Sequence, residues 1–213
     1  GAGTQATSDS GGQFNLSGAA MTGGTIITLY FDGGSATGVT VLLGSGGAMT
    51  GINLYQNRLI IRSESGSTAI TNANLDIADN NGDSDITGVI SSATSAAVTV
   101  ADSKELFIWT GDTFTPGGTV TVDDIDINGT FTMGSNSVTV SGTWDATGGT
   151  FTSSSSVTFD STSTETITSN SNSFSALTFN GSAGTWTSQD ALDVNNGLTI
   201  SNGTLVQGAA TLN

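Results

Sequence analysis

Val98-Thr99-Val100, Val120-Thr121-Val122, Val138-Thr139-Val140, Val157-Thr158-Phe159, Leu177-Thr178-Phe179 and Leu198-Thr199-Ile200 are copies of one unit, a Thr between two apolar residues. Between their last residues the steps are 22, 18, 19, 20 and 21 residues. Towards the N-terminus a looser beat of 23 residues continues through Leu75-Asp76-Ile77, Ile52-Asn53-Leu54 and Leu29-Tyr30-Phe31. Alternate residues of a strand point to opposite faces, so the apolar pair turns inward and the Thr outward. A short strand recurring about every 20 residues is the mark of a solenoid, and the expected fold is all-β, a parallel β-helix with coils of 18–23 residues. Coils stack ~4.8 Å apart, so nine units would make a rod of roughly 43 Å.

A second ladder runs beside the first. Leu106-Phe107-Ile108 and Ile125-Asp126-Ile127 stand 19 residues apart, and Trp144, Ile167, Trp186 and Leu205 continue it. Gly-Thr before a bulky residue recurs at Gly129-Thr130-Phe131, Gly142-Thr143-Trp144, Gly149-Thr150-Phe151, Gly184-Thr185-Trp186 and Gly203-Thr204-Leu205. This reads as corner, strand entry and inward packing, with two or three strands per coil. Helical periodicity is nearly absent. Residues 1–24 read as an N-terminal arm, cap or donor-strand-like segment, and 25–213 as the repeat domain. The sequence from Leu205 to Asn213 stops part-way into another beat, which suggests a fragment or an end that meets other subunits.

Composition narrows the function. Only 10% of residues are charged and the net charge is −15, with Arg58, Arg62 and Lys104 the only cations. Nucleic acid and anionic membrane surfaces need clustered Lys and Arg, so both are excluded as partners, and no apolar run is long enough to insert in a bilayer. There is no Cys and no His, which removes disulfides, thiol chemistry, nucleophilic triads and His-based metal sites. A Lys-poor chain rich in Ser, Thr and Gly fits an extracellular or cell-surface protein; secretion then requires that Gly1 follow a cleavage site or that the chain be part of something longer.

Four features are candidate sites. Asp76, Asp79, Asn81, Asp83 and Asp85 crowd around Gly82, and oxygen-rich side chains at such spacing suit Ca²⁺, although the bidentate Glu of an EF-hand is missing; the competing reading is a solvated turn. Asp123, Asp124 and Asp126 include a pair flanking inward Ile125, ~7 Å apart on one outer face, a spacing used by glycosidases. With no motif around them they read as a solvent-facing edge, and the chain is expected not to be an enzyme. Trp109, Trp144 and Trp186 could stack on carbohydrate, but their place in the inward rhythm favours the core. The outward column Thr99, Thr121, Thr139, Thr158, Thr178 and Thr199 has small companions at Ala97, Thr119, Ser137, Ser156, Ala176 and Gly197. A flat strip of this kind is what ice-binding solenoids present; the plainer explanations are the β-propensity of Thr and lateral packing of rods.

Val-Thr-Phe, Gly-Thr-Trp and Leu-Thr-Ile-Ser-Asn-Gly-Thr-Leu together resemble the Ser/Thr/Gly-rich repeat proteins of bacterial surfaces, including adhesin and autotransporter-passenger β-helices. The similarity covers roughly residues 50–213 and lies in style and period. It implies a secreted or surface-displayed β-helix acting as stalk, fibre or adhesin, with no catalytic set to carry over. The resulting expectation is an extracellular structural protein that self-associates end to end or laterally by strand stacking. The alternative is an adhesin or an ice- or polysaccharide-binding module using the Thr face.

Overall fold

The structure is a computed structural model and describes residues 4–17 and 22–208. Met21 of the arm, and the residues from Ala209 to Asn213 that read as a further beat, lie outside the described residues. The chain opens with β1 (Ile26–Tyr30), β2 (Val39–Leu43), β3 (Arg58–Ser63), α1 (Asn72–Asp79), α2 (Ser84–Thr87), β4 (Ile90–Thr94) and β5 (Ala97–Val100). Short strands then follow: β6 (Glu105–Ile108), β7 (Thr113–Phe114), β8 (Thr119–Val122), β9 (Asp124–Ile127), β10 (Thr130–Gly134), β11 (Val138–Val140), β12 (Trp144–Asp145), β13 (Thr150–Ser153), β14 (Ser156–Phe159) and β15 (Thr164–Thr168). Two long strands that run through corners, β16 (Ser173–Ser188) and β17 (Asp193–Gln207), complete the order.

Apart from β1 and β4, these strands stack in parallel into a β-solenoid of about eight turns. One column contains β2, β3, β6, β9, β12, β15 and the later parts of β16 and β17. A second contains β7, β10 and β13. The third, built from the Val-Thr-Val units, contains β5, β8, β11, β14 and the earlier parts of β16 and β17. Alternation sets the inside: in β6 and β9 the residues Leu106, Ile108, Ile125 and Ile127 are buried while their neighbours are half-buried. Corners bring backbones so close that only Gly fits. A Cβ on Gly181 would overlap the Ser161 carbonyl, and Gly203 turns with φ +85°.

The core is an aromatic stack along the axis. Phe114 lies over Phe131 with centroids 5.5 Å apart, Phe159 over Phe179 at 5.3 Å, and Trp186 follows Phe179 at 5.0 Å. Trp144 sits between columns, edge-on to Phe151 at 4.9 Å and beside Phe174 at 5.3 Å. Trp144 and Trp186 are therefore core residues, as their rhythm suggested, whereas Trp109 is on the outer face. The second ladder holds register through Leu106, Ile125, Trp144 and Ile167, then slips by two residues: Trp186 pairs with Glu165, and Leu205 with Trp186.

The first part of the chain departs from the repeat, and three of the nine proposed beats are not coils. Leu29-Tyr30-Phe31 spans the end of β1, which pairs antiparallel with β2. Ile52-Asn53-Leu54 belongs to a strandless segment over the outer face, where the Asn53 carbonyl accepts a 2.7 Å bond from Thr40 Oγ1. Leu75-Asp76-Ile77 lies in α1, whose Leu75 and Ala78 are buried three residues apart while Ile77 is exposed. Helix wins here because Thr71 and Asn74 close its first turn, with Thr71 N–H donating to Asn74 Oδ1 at 2.8 Å. Helix α1 packs against β4, β1, β5 and β2, and β4 pairs antiparallel with β5. Together α1, β1 and β4 form a cap that covers the core at this end, as solenoid termini require.

Candidate functional site

The third column places the six predicted Thr residues in one line. Thr99 pairs with Thr121, Thr121 with Thr139, Thr139 with Thr158, Thr158 with Thr178 and Thr178 with Thr199. Each is flanked by residues that face the interior, so the hydroxyls and methyls stand outward at the ~4.8 Å coil spacing. The companion line is in register too, Ala97 beside Thr119 and Ser156 beside Ala176 and then Gly197, but its chemistry is mixed. The strip is in register, uncharged and made of small side chains. Such a surface suits contact with another regular surface better than recognition of a small ligand.

The acidic cluster is divided between helix and caps rather than gathered around a point. Asp76 accepts from Asn80 Nδ2 at 2.7 Å, and Asp79 from the Ala93 amide at 2.9 Å. Asp83 caps α2 by accepting from the Asp85 amide at 2.9 Å and takes the Tyr30 hydroxyl at 3.1 Å on its other oxygen. Asp85 accepts from the Gly33 amide at 2.9 Å, and Asn81 is exposed near the arm. Among the described residues no group of three or more acidic side chains converges as a metal site would. These carboxylates tie the cap to its neighbours, and burial with the nearby Asp83 raises the Tyr30 phenol above its ordinary range.

The outer face of the first column carries a feature that sequence reading missed. Arg58 pairs with Glu105 across β3 and β6, Nε to Oε1 2.8 Å, and its guanidinium lies 4.8 Å from the centre of the Phe107 ring and 5.6 Å from that of Tyr55. Arg62 lies 5.0 Å over Trp109 and is ion-paired with Glu64. Two of the three cations are thus stacked on aromatic rings. Next along the axis, Asp124 adjoins Glu105, and Asp126 adjoins Phe107 and then Asp145. Burial pushes the Glu105 carboxyl up to about 7, Arg58 opposes the rise, and Asp126 and Asp124 add to it. Asp126 is also raised, by burial and then by Asp145.

Asp123, Asp124 and Asp126 sit beside this strip; the first two are held by neighbouring coils and the third by its own. Asp123 accepts from the Ser103 amide at 2.9 Å and Ser141 Oγ at 3.0 Å, Asp124 from the Thr143 amide at 2.7 Å, and Asp126 from Asn128 Nδ2 at 2.6 Å. Each bond to an adjacent coil fixes register, which gives these carboxylates a structural use. The strip was legible only in part. Arg58 and Arg62 visibly flank a strand, but nothing in a linear reading says that they face Phe107 and Trp109 from 45 or more residues away.

Two open grooves lie at the capped end, of about 730 and 950 Å³, where the N-terminal arm crosses β1. Phe14, Leu16, Ile27 and Leu29 line both. The arm therefore covers the apolar outer face of the cap. Among the described residues no helix is long and apolar enough to cross a membrane. Comparison with protein-family models, with characterised proteins and with solved structures finds no match; the architecture is a capped, three-column β-solenoid.

Proposed function

We propose that the chain is a structural rod of an extracellular or cell-surface protein, a stalk or fibre segment whose work is mechanical. The supporting observation is the unbroken stack: the backbone hydrogen bonds of the parallel columns run along the axis, and one aromatic and aliphatic core runs through successive coils. Each coil is stable only with neighbours, so load applied along the rod is shared by many hydrogen bonds and by the core. The acidic, Lys-poor exterior keeps such rods apart in solution. Of the two forms, the cap favours a stalk over an endless end-to-end filament, since α1, β1 and β4 cover one end. Calcium is not needed for this reading, because the carboxylates of Asp76, Asp79, Asp83 and Asp85 already accept hydrogen bonds from the protein.

The test is immunogold electron microscopy of intact producing cells with an antibody to this chain. Label on thin projections outside the cell supports the stalk. Label that appears only after permeabilisation rejects it. The in-register Thr column favours a second reading, contact of the flat face with ice or an insoluble polysaccharide. Inhibition of ice recrystallisation, or co-sedimentation with a polysaccharide, that is lost in Thr139→Tyr would move the function to that face.

A further inference from the structure

Five Asn-Gly pairs occur in the chain, beginning at Asn81, Asn128, Asn180, Asn196 and Asn202. An Asn followed by Gly can modify itself, because a residue without Cβ lets its own backbone nitrogen approach the preceding carboxamide. That attack needs a side chain free of hydrogen bonds and a backbone free to turn about the Asn Cα–C bond. At four of the pairs the fold withholds both. Asn128 Nδ2 donates to Asp126 Oδ1 at 2.6 Å, and Gly129 is buried with its N–H donating to the Ile108 carbonyl at 3.0 Å. Asn202 Nδ2 donates to Asn180 Oδ1 at 2.8 Å, which ties two of the carboxamides together, and Asn196 Nδ2 donates to Ser175 Oγ at 2.9 Å. Asn180, Asn196 and Asn202 also stand within β16 and β17, which are paired coil to coil.

Asn81-Gly82 is built differently. It lies exposed between α1 and α2, just before the Asp83 that caps the second helix. The Asn81 carboxamide has no hydrogen-bond partner among the described residues. Gly82 stands at φ +73° with open space around it, and its N–H donates to the Asp79 carbonyl at 3.0 Å, at a helix end where such bonds fray. We propose that Asn81 is a self-modification site of this protein. The Gly82 nitrogen bonds to Asn81 Cγ, the bond from Cγ to Nδ2 breaks, and Nδ2 leaves as ammonia carrying the proton that the Gly82 nitrogen gives up. Water then opens the cyclic imide at either carbonyl, which leaves Asp in the ordinary chain or a chain rerouted through the side-chain carboxyl. No oxidant, reductant or second protein is required. Either product adds a carboxylate among Asp79, Asp83 and Asp85, whose bonds to the Ala93, Asp85 and Gly33 amides hold the cap together. The inference does not depend on the rod reading.

The test is mass spectrometry of the purified chain held at mildly alkaline pH, folded and, in parallel, unfolded in guanidinium chloride. Trypsin cuts after Arg58, Arg62 and Lys104, so Asn81-Gly82 falls in fragment 63–104 and the other four pairs fall together in 105–213. In the folded chain the mass gain of amide becoming acid is expected in 63–104 at least about tenfold faster than in 105–213, because the other sites react only after local unfolding. Asn81→Gln, whose longer side chain must close a larger and slower ring, is expected to abolish the gain in 63–104. In guanidinium chloride both fragments of the unaltered chain are expected to gain mass. Fragment 63–104 unchanged in the folded chain, comparable gains in both folded fragments, or a gain in 63–104 that persists in Asn81→Gln would overturn the proposal.

Discussion

Trp144→Ala and Trp144→Phe, made separately, set the core packing against a buried polar group. The indole is fully buried among Phe131, Phe151, Phe159 and Phe174, with ring centroids 4.9–6.3 Å away. Truncation to alanine loses this burial and leaves a void, which costs about 3–5 kcal/mol. That is a large part of the ~5–15 kcal/mol that holds an ordinary domain together. The indole N–H, however, has no acceptor among the described residues, and removing a buried unsatisfied donor returns about 1–3 kcal/mol. Phenylalanine keeps most of the ring area and drops the donor, so its net cost is expected to stay below about 1.5 kcal/mol. Urea unfolding followed by far-ultraviolet circular dichroism measures both through the shift in midpoint at constant slope. An alanine variant within ~1 kcal/mol of wild type would refute the burial. A loss above about 2 kcal/mol for the phenylalanine variant would show that the N–H is satisfied.

Three more outcomes test other parts of the structure. Stability is expected to rise as pH falls from 8 towards 5: Glu105 is raised from 4.5 to about 7, so its contribution is present below the unfolded value and is lost as pH rises through about 7, with Asp126 raised in the same direction. Because Glu105 is only half-buried and is opposed by Arg58, the effect is about 1 kcal/mol, and thermal unfolding of Glu105→Gln across that range should show a flatter profile. Gly181→Ala forces a Cβ into the Ser161 carbonyl and should cost about 1–3 kcal/mol or more by urea unfolding, while Gly197→Ala, where the added carbon meets nothing within 4 Å, should be near neutral. Calcium or a chelator is expected to leave the melting temperature unmoved, whereas Asp83→Ala lowers stability by about 0.5–2 kcal/mol through loss of the α2 cap; a midpoint that climbs with calcium concentration would reinstate an ion site.

The repeat was legible where one strand residue type recurs at each coil. From Val98 onward the Thr between two apolar residues fixes both faces, and the observed register pairs Thr with Thr at every step. Before it, the same apolar spacing misled, because Leu75 and Ala78 also satisfy a helical face and the Thr71–Asn74 contact that decides the matter is a local cap. The two-residue slip at Trp186 was hidden because spacing alone does not report register. Of the candidate sites, the Thr line could be read from the period. The Arg58, Glu105 and Phe107 strip could not, since its members come together only when the column order, with β3 followed by β6, is known.

Disulfide trapping across coils tests the stacked, in-register solenoid most directly, and the absence of native cysteine gives it a clean background. Thr139 and Thr158 are neighbours in register, ~4.8 Å apart at Cα, inside the ~4.4–6.8 Å window for a disulfide; Thr139 and Thr178 are two coils apart, ~9.6 Å, outside it. Stacked coils predict that Thr139→Cys/Thr158→Cys closes an intramolecular bond on mild oxidation while Thr139→Cys/Thr178→Cys stays reduced. Closure of the second pair and not the first would contradict the solenoid.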